Sequence, residues 1–418
     1  MGKETFLKYE SEVRSYCRSF PEIFDYAKGS IIRDVNGKEY IDFFCGAGAL
    51  NYGHNNDKIK KKLIDYLESD GIIHALDMYT EKKDEFIAYF EKEVLKKKGL
   101  DYKIQFTGPT GTNGVEAALK LARKVTKRQG VFALMGAFHG MTLASLALTS
   151  DRDSRRGAGV PLDHVTHIPA PYMFEGLDTL NYLETILSDD HSGIDIPAAI
   201  VIETVQAEGG IYVFDPEWIR GIRAICDRYG ILMIVDDVQV GCCRTGPFFS
   251  FERAGIVPDM VVLSKSIGGY GLPLALTLLK PELDIWAPGE HNGTFRGNQL
   301  SFVAAKAGLE IMIEEHIEEQ VAQKEKLVRA FLEENIASID SKINIRGTGL
   351  IWGIEFTAFA DEDLSKKVVT ECFQNGLIVE KVGRKNGVVK VMPPLVIEKE
   401  QLIKGLEILK NSIKTVLS

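Results

Sequence analysis

The sequence predicts an α/β protein, with a large domain on a mostly parallel sheet and a smaller α+β domain contributed by both chain ends. The first observation is a set of short apolar runs, several of them unbroken, as in Ala199-Ile200-Val201-Ile202 and Ile231-Leu232-Met233-Ile234-Val235. Such runs mark strands buried on both faces by helices, the usual state of a parallel sheet. The second is their alternation with helical periods through the middle of the chain. The third is a change of pattern outside that block, where short strands accompany long helices.

Strand candidates cover residues 103–107, 130–136, 198–205, 231–238, 260–264 and 274–279. The helices between them carry end signals. Asp215 before Pro216 supplies an N-cap and a first-turn proline, and Gly230 supplies the stop. Trp218, Ile219, Ile222 and Ile225 recur on one face of that helix. Val115, Ala118, Leu119 and Ala122 do the same after a glycine-rich turn, and both stripes read as core. Residues 30–42 read as a strand pair turned at Asn36-Gly37. From about residue 299 come long helices, then short strands at 349–356, 377–379 and 388–391, and a last helix from about 398. Residues 1–60 are expected to join the smaller domain, 61–300 to form the large one, and 301–418 to complete the smaller.

Composition excludes several classes. With 418 residues, 45% hydrophobic and 26% charged, the chain has the balance of a soluble globular protein. No apolar run approaches the roughly 18 to 20 residues of a membrane span, and no secretory leader is visible at the N-terminus. The formal net charge is -9 and the lysine runs at 60–62 and 96–98 are short, so no nucleic-acid partner is expected. The six cysteines, including adjacent Cys242 and Cys243, show neither metal nor disulfide spacing. Reduced thiols in a cytoplasm, and no metal site, are the expectation.

The residues with chemical potential centre on Asp236 and Lys265. The strand at 231–238 delivers Asp236 at its carboxyl end, where open parallel sheets bind ligands. Gln239 follows, and Lys265 comes 29 residues after Asp236, just past the next strand. Pyridoxal 5'-phosphate chemistry uses such a set: a lysine amine condenses with the cofactor aldehyde, and a carboxylate keeps the pyridine nitrogen protonated. A lysine with a lowered pKa also carries protons. The turn from Gly108 to Val115 follows a strand and opens a helix, which suits a phosphate, although it lacks the Walker spacing. Phe138-His139-Gly140 puts an aromatic residue at a strand end, positioned to stack on a flat ring. The loop from His291 to Gln299 is rich in donors. Each has an ordinary structural alternative; together they point to one site.

These segments, in this order, resemble the fold-type I, class III aminotransferases, with Val235-Asp236-Asp237-Val238-Gln239-Val240-Gly241, Arg244-Thr245-Gly246 and Ser264-Lys265 as the most specific match. Most members carry Asp-Glu where this chain has Asp236-Asp237. Ser11-Glu12-Val13-Arg14-Ser15-Tyr16, the run Gly46 to His54, Thr107 to Asn113 and Asn292 to Gly297 are similar to the diaminobutyrate–2-oxoglutarate subgroup of the ectoine-pathway type. The resemblance runs from about residue 8 to the C-terminus. It implies a seven-stranded large domain, pyridoxal 5'-phosphate, and amino transfer from glutamate to aspartate 4-semialdehyde. Another ω-aminotransferase (ornithine, 4-aminobutyrate or lysine type) or an aminomutase remains the alternative.

The same resemblance implies the site. Lys265 is catalytic; Thr112, Asn113, Gly114 and Val115 surround the phosphate; Phe138 stacks on the ring; His139, Glu203, Asp236 and Gln239 complete the cofactor contacts. Thr294 reaches the phosphate from the other subunit, which makes a homodimer, or an assembly of dimers, obligatory. Leu50, Glu208 and Lys390 face the small-molecule substrates. Lys390 stands where ornithine-type enzymes have an arginine paired with the residue matching Glu208. Arg244 is expected to be structural, and Ala207, replacing a common glycine, to narrow the site.

Overall fold

The computed structural model describes residues 2–418. Its centre is a seven-stranded sheet, with β1 (Lys103–Phe106), β2 (Val131–Leu134), β3 (Val165–Ile168), β4 (Ala199–Ile202), β5 (Leu232–Asp236), β6 (Met260–Leu263) and β7 (Leu276–Leu279) in the order β1-β7-β6-β5-β4-β2-β3. From β3 to β6 every pairing is parallel; β7 runs antiparallel to both β6 and β1. The six expected strands are all present. The seventh, β3, had no apolar run to announce it: Val-Thr-His-Ile sits at the sheet edge with only Ile168 buried.

All four residues of β2, β4, β6 and β7 are buried, as strands covered on both faces require, with Thr277 of β7 the one polar residue among them. Helix α1 (Gly111–Thr126) lays Val115, Ala118, Leu119 and Ala122 on the sheet. Helix α2 (Pro216–Tyr229) starts on the Asp215 side chain, which accepts the Glu217 N–H, and stops at Gly230 with φ +59°. Trp218, Ile219, Ile222 and Ile225 face the core. Helix α3 (Gln299–Glu314) packs on the helices Asp57–Glu68 and Glu81–Phe90.

The smaller part joins the two chain ends. Phe24–Lys28, Ile31–Asp34 and Glu39–Asp42 form antiparallel neighbours, and Leu377–Ile378 adds a parallel strand beside Glu39–Asp42. A second sheet holds β8 (Asn344–Thr348), β9 (Ile351–Glu355), β10 (Glu380–Val382) and β11 (Val388–Val391), ordered β8-β9-β11-β10. Helix α4 (Lys399–Leu417) covers Phe43; a Cβ on Gly405 would lie 2.3 Å from that ring. Among the described residues no helix is long and apolar enough to cross a membrane.

Candidate active site

The site lies where the carboxyl ends of β4, β5 and β6 meet strands from the C-terminal sheet. Asp236, the last residue of β5, is buried; its Oδ2 is 2.7 Å from Nδ1 of His139, and its Oδ1 accepts the Val238 N–H at 3.1 Å. Burial disfavours a proton on His139, but the hydrogen bond and charge of Asp236, with the charge of Glu203, outweigh it and raise the imidazole pKa. Nε2 of this buried ring has no partner among the described residues. Glu203, just after β4, accepts the N–H of Phe138 at 3.0 Å and of Ala207 at 3.4 Å. Burial pushes its carboxyl up to about 7, against the pull of His139.

Lys265 opens a single turn directly after β6, with φ +52°, a left-handed backbone that a lysine seldom adopts. Its side chain is half-buried and, among the described residues, makes no ion pair within 4 Å. Burial pulls its ammonium pKa down; the charge of Glu208 opposes this and that of Lys390 adds to it. The lysine therefore gives up its proton more readily than an ordinary one and is not tied to an acid, which favours a nucleophilic amine.

The N-terminus of α1 forms the far end. Asn113 turns back, its Oδ1 accepting the Thr110 N–H at 3.3 Å and hydroxyl at 2.8 Å. The first-turn N–H groups of Gly111 and Thr112 have no acceptor inside the helix, as at any helix start, and suit an anion. Thr112 Oγ1 meets Thr142 Oγ1 at 2.6 Å and also Ser145 Oγ. Gly140, at φ +134°, makes this approach possible: a Cβ there would lie 2.5 Å from Thr112 Oγ1.

A cavity of about 310 Å³ connects these groups, lined among others by Thr112, Phe138, His139, Glu203, Glu208, Asp236, Gln239 and Lys265. Eight of the expected site residues thus share one space. Behind its wall, fully buried Lys390 places Nζ 2.7 Å from Glu208 Oε1 and 2.6 Å from Glu380 Oε1. Gln239 donates to Glu208 Oε1 at 3.1 Å and to Ala47 O at 3.0 Å. Burial works against the Lys390 proton, but the two glutamates hold its pKa well above the ordinary value. Burial alone would raise Glu208; Lys390 and Lys265 overcome it and bring the carboxyl down to about 2.

The other expected residues sit outside that space. Gly114 and Val115 face the sheet; a Cβ on Gly114 would lie 2.6 Å from Val262 Cγ1. Asn113 spends its side-chain oxygen on the cap. Leu50 is half-buried on the 45–51 segment that Gln239 holds, and Thr294 is exposed. Ala207 is fully buried with Val205, Ile211 and Met392, so it does not narrow the cavity. Asp237 is bound by the Ser250 N–H at 2.9 Å and hydroxyl, and burial pushes it up to about 7. Arg244 is a strut, donating to Leu350 O at 2.9 Å, to Pro393 O and to Asn51 Oδ1. Glu380 had escaped the sequence reading. Its signal is an acid between Ile378 and Val382 at an inward position of a short apolar run.

The family model described as aminotransferase class-III matches residues 16–413. The chain is 52% identical over 414 residues to a diaminobutyrate–2-oxoglutarate transaminase of Halalkalibacterium halodurans, covering 99% of this chain and 96% of that one. It is 49% identical over 416 residues to one of Streptomyces coelicolor, covering 98% and 97%. A crystal structure of ornithine aminotransferase from Toxoplasma gondii superposes with a TM-score of 0.86 at 24% identity, covering 100% of this chain and 96% of that one, and shows the shared fold. The chain belongs to the class-III aminotransferases.

Proposed function

We propose that this protein uses pyridoxal 5'-phosphate to transfer an amino group between L-glutamate and L-aspartate 4-semialdehyde, giving 2-oxoglutarate and L-2,4-diaminobutyrate. The observation that carries the reading is the single cavity joining an untethered Lys265, a buried Asp236 and an anion-ready helix start. Full-length identity of about one half to transaminases named for this pair of substrates narrows it. The donor set fits the cofactor: a flat wall at Phe138, two open first-turn N–H groups for the phosphate, and a buried carboxylate for the ring nitrogen. When bound, pyridoxal 5'-phosphate supplies an aldehyde that condenses with amines and a ring that accepts electrons from the substrate carbon.

In this reading Lys265 would hold the cofactor through its aldehyde, and its amine would carry the proton at the substrate α carbon. Asp236 keeps a proton at the ring nitrogen, and His139 orients its carboxylate. Thr112, with the backbone of Asn113, Gly114 and Val115, belongs to the phosphate end, and Gln239 to the ring hydroxyl. Lys390 and Glu208 handle the substrate carboxylate, with Leu50 beside them. Thr294 acts on the site of a second copy. A homodimer is supported by the exposed side chains of Ile72, Ile73, Leu76, Met78, Tyr79 and Phe295, whose two segments are tied by Ala75 N–H to Gly297 O. A cytoplasmic home is supported by six unpaired cysteines, five of them buried. An acceptor screen with glutamate as donor tests the reaction. Aspartate 4-semialdehyde should be consumed fastest, with 2-oxoglutarate formed one for one; faster use of another aldehyde or keto acid overturns the substrate assignment.

A further inference from the structure

Lys390 has two acid neighbours, one more than its single charge calls for. One carboxylate neutralises a buried ammonium, and burying a second acid beside it is costly unless it has a task. The two glutamates also differ in placement. Glu208 lines the cavity, lies in the connection between Val205–Gln206 and Tyr212–Val213, and keeps a third of its side chain exposed. Glu380 is outside the cavity lining, 8% exposed, and fixed in β10 directly opposite Lys390 of β11.

A substrate carboxylate entering the cavity meets Glu208 first and competes with it for the ammonium. We propose that Glu380 is a positioning residue that holds the Lys390 ammonium at the cavity wall while Glu208 gives way to the substrate carboxylate. The inference rests on the amino-transfer reading above. The strand pairing thus gives a flexible lysine the fixed geometry that an arginine fork would carry in itself.

The groups facing Lys390 are Glu208, Gln239 and Glu380, with Lys265 across the cavity. Tyr16 adds a phenol from the N-terminal segment; its ring packs on Phe44 at 4.9 Å and it feels the charges of both glutamates. The test compares the wild-type and Glu380→Gln holoenzymes. Glutarate, a non-reacting dicarboxylate, is titrated by calorimetry, and each half-reaction is followed separately. The glutarate Kd and the glutamate KM should rise about tenfold in Glu380→Gln, while the KM for diaminobutyrate stays within about twofold. Adding Lys390→Arg to Glu380→Gln should restore glutarate binding, since a guanidinium stays charged unaided.

Equal changes for both substrates, or no rescue of glutarate binding by the added Lys390→Arg, would reduce Glu380 to packing and overturn the proposal, as would wild-type values. If Glu380→Gln does not fold, Glu380→Asp must show the same split in smaller measure; wild-type behaviour there overturns it too. An enzyme that accepts glutamate but rejects diaminobutyrate refutes the substrate assignment and leaves the glutarate comparison decisive for Glu380.

Discussion

The two ends of the cavity are built in different ways. The end holding Asp236, His139 and Lys265 hangs on the buried strands β5 and β6, whose side chains have no freedom to shift. The wall holding Glu208, Gln239, Lys390 and Glu380 is assembled from four separate segments and held by charge. The first arrangement suits atoms that stay fixed through every turnover. The second suits a surface that must receive substrates of different charge, because ion pairs exchange partners while a packed strand does not. Arg244 braces the 45–51 segment, which Gln239 also holds, against Leu350 and Pro393.

Substitutions at the fixed end should cost most. Lys265→Ala removes the only amine lining the cavity among the described residues, and turnover should fall by about 10⁴-fold. Retained turnover would break the distinction between a chemical end and a binding end. Asp236→Asn leaves the shape but removes the charge, and kcat should drop roughly 10³-fold while the glutamate KM changes little. A rise in KM with kcat intact would move Asp236 to the substrate wall.

The strut and the buried acid are read in stability. Arg244→Ala leaves two carbonyls and an amide oxygen buried without their donor, and unfolding should cost about 4 kcal/mol less. Denaturant titration measures it, and a change under about 1 kcal/mol would show that the two parts hold without the strut. Glu203 has a folded pKa of about 7 against an ordinary 4.5, raised by burial. Its stabilising contribution is complete below pH 4.5 and is lost as pH rises through 7, by about 3 kcal/mol. Glu203→Gln should therefore lose less stability between pH 5 and pH 8 than the wild type; parallel curves would contradict the buried-acid account.

The same contrast explains what the sequence disclosed. Asp236 and Lys265 were legible because the first ends an unbroken apolar run and the second follows one by a single serine, and such runs mark strands buried on both faces. The helix start at Gly111 was legible from its glycines and the apolar stripe behind it. Strand β3 was hidden by its polar edge position, and Glu380 by a strand only three residues long. Its partner Lys390 comes from the next strand, and no local pattern announces which buried charge an acid will meet. The core-facing roles of Gly114 and Val115 likewise follow from the rotation of α1 on the sheet, which a motif does not encode.

Reductive trapping addresses the central claim most directly. Borohydride treatment of the holoenzyme, followed by digestion and mass spectrometry, should place the pyridoxyl group on Lys265, in the peptide after β6, and on no other lysine. A label on a different lysine, or undiminished trapping in Lys265→Ala, would contradict the account.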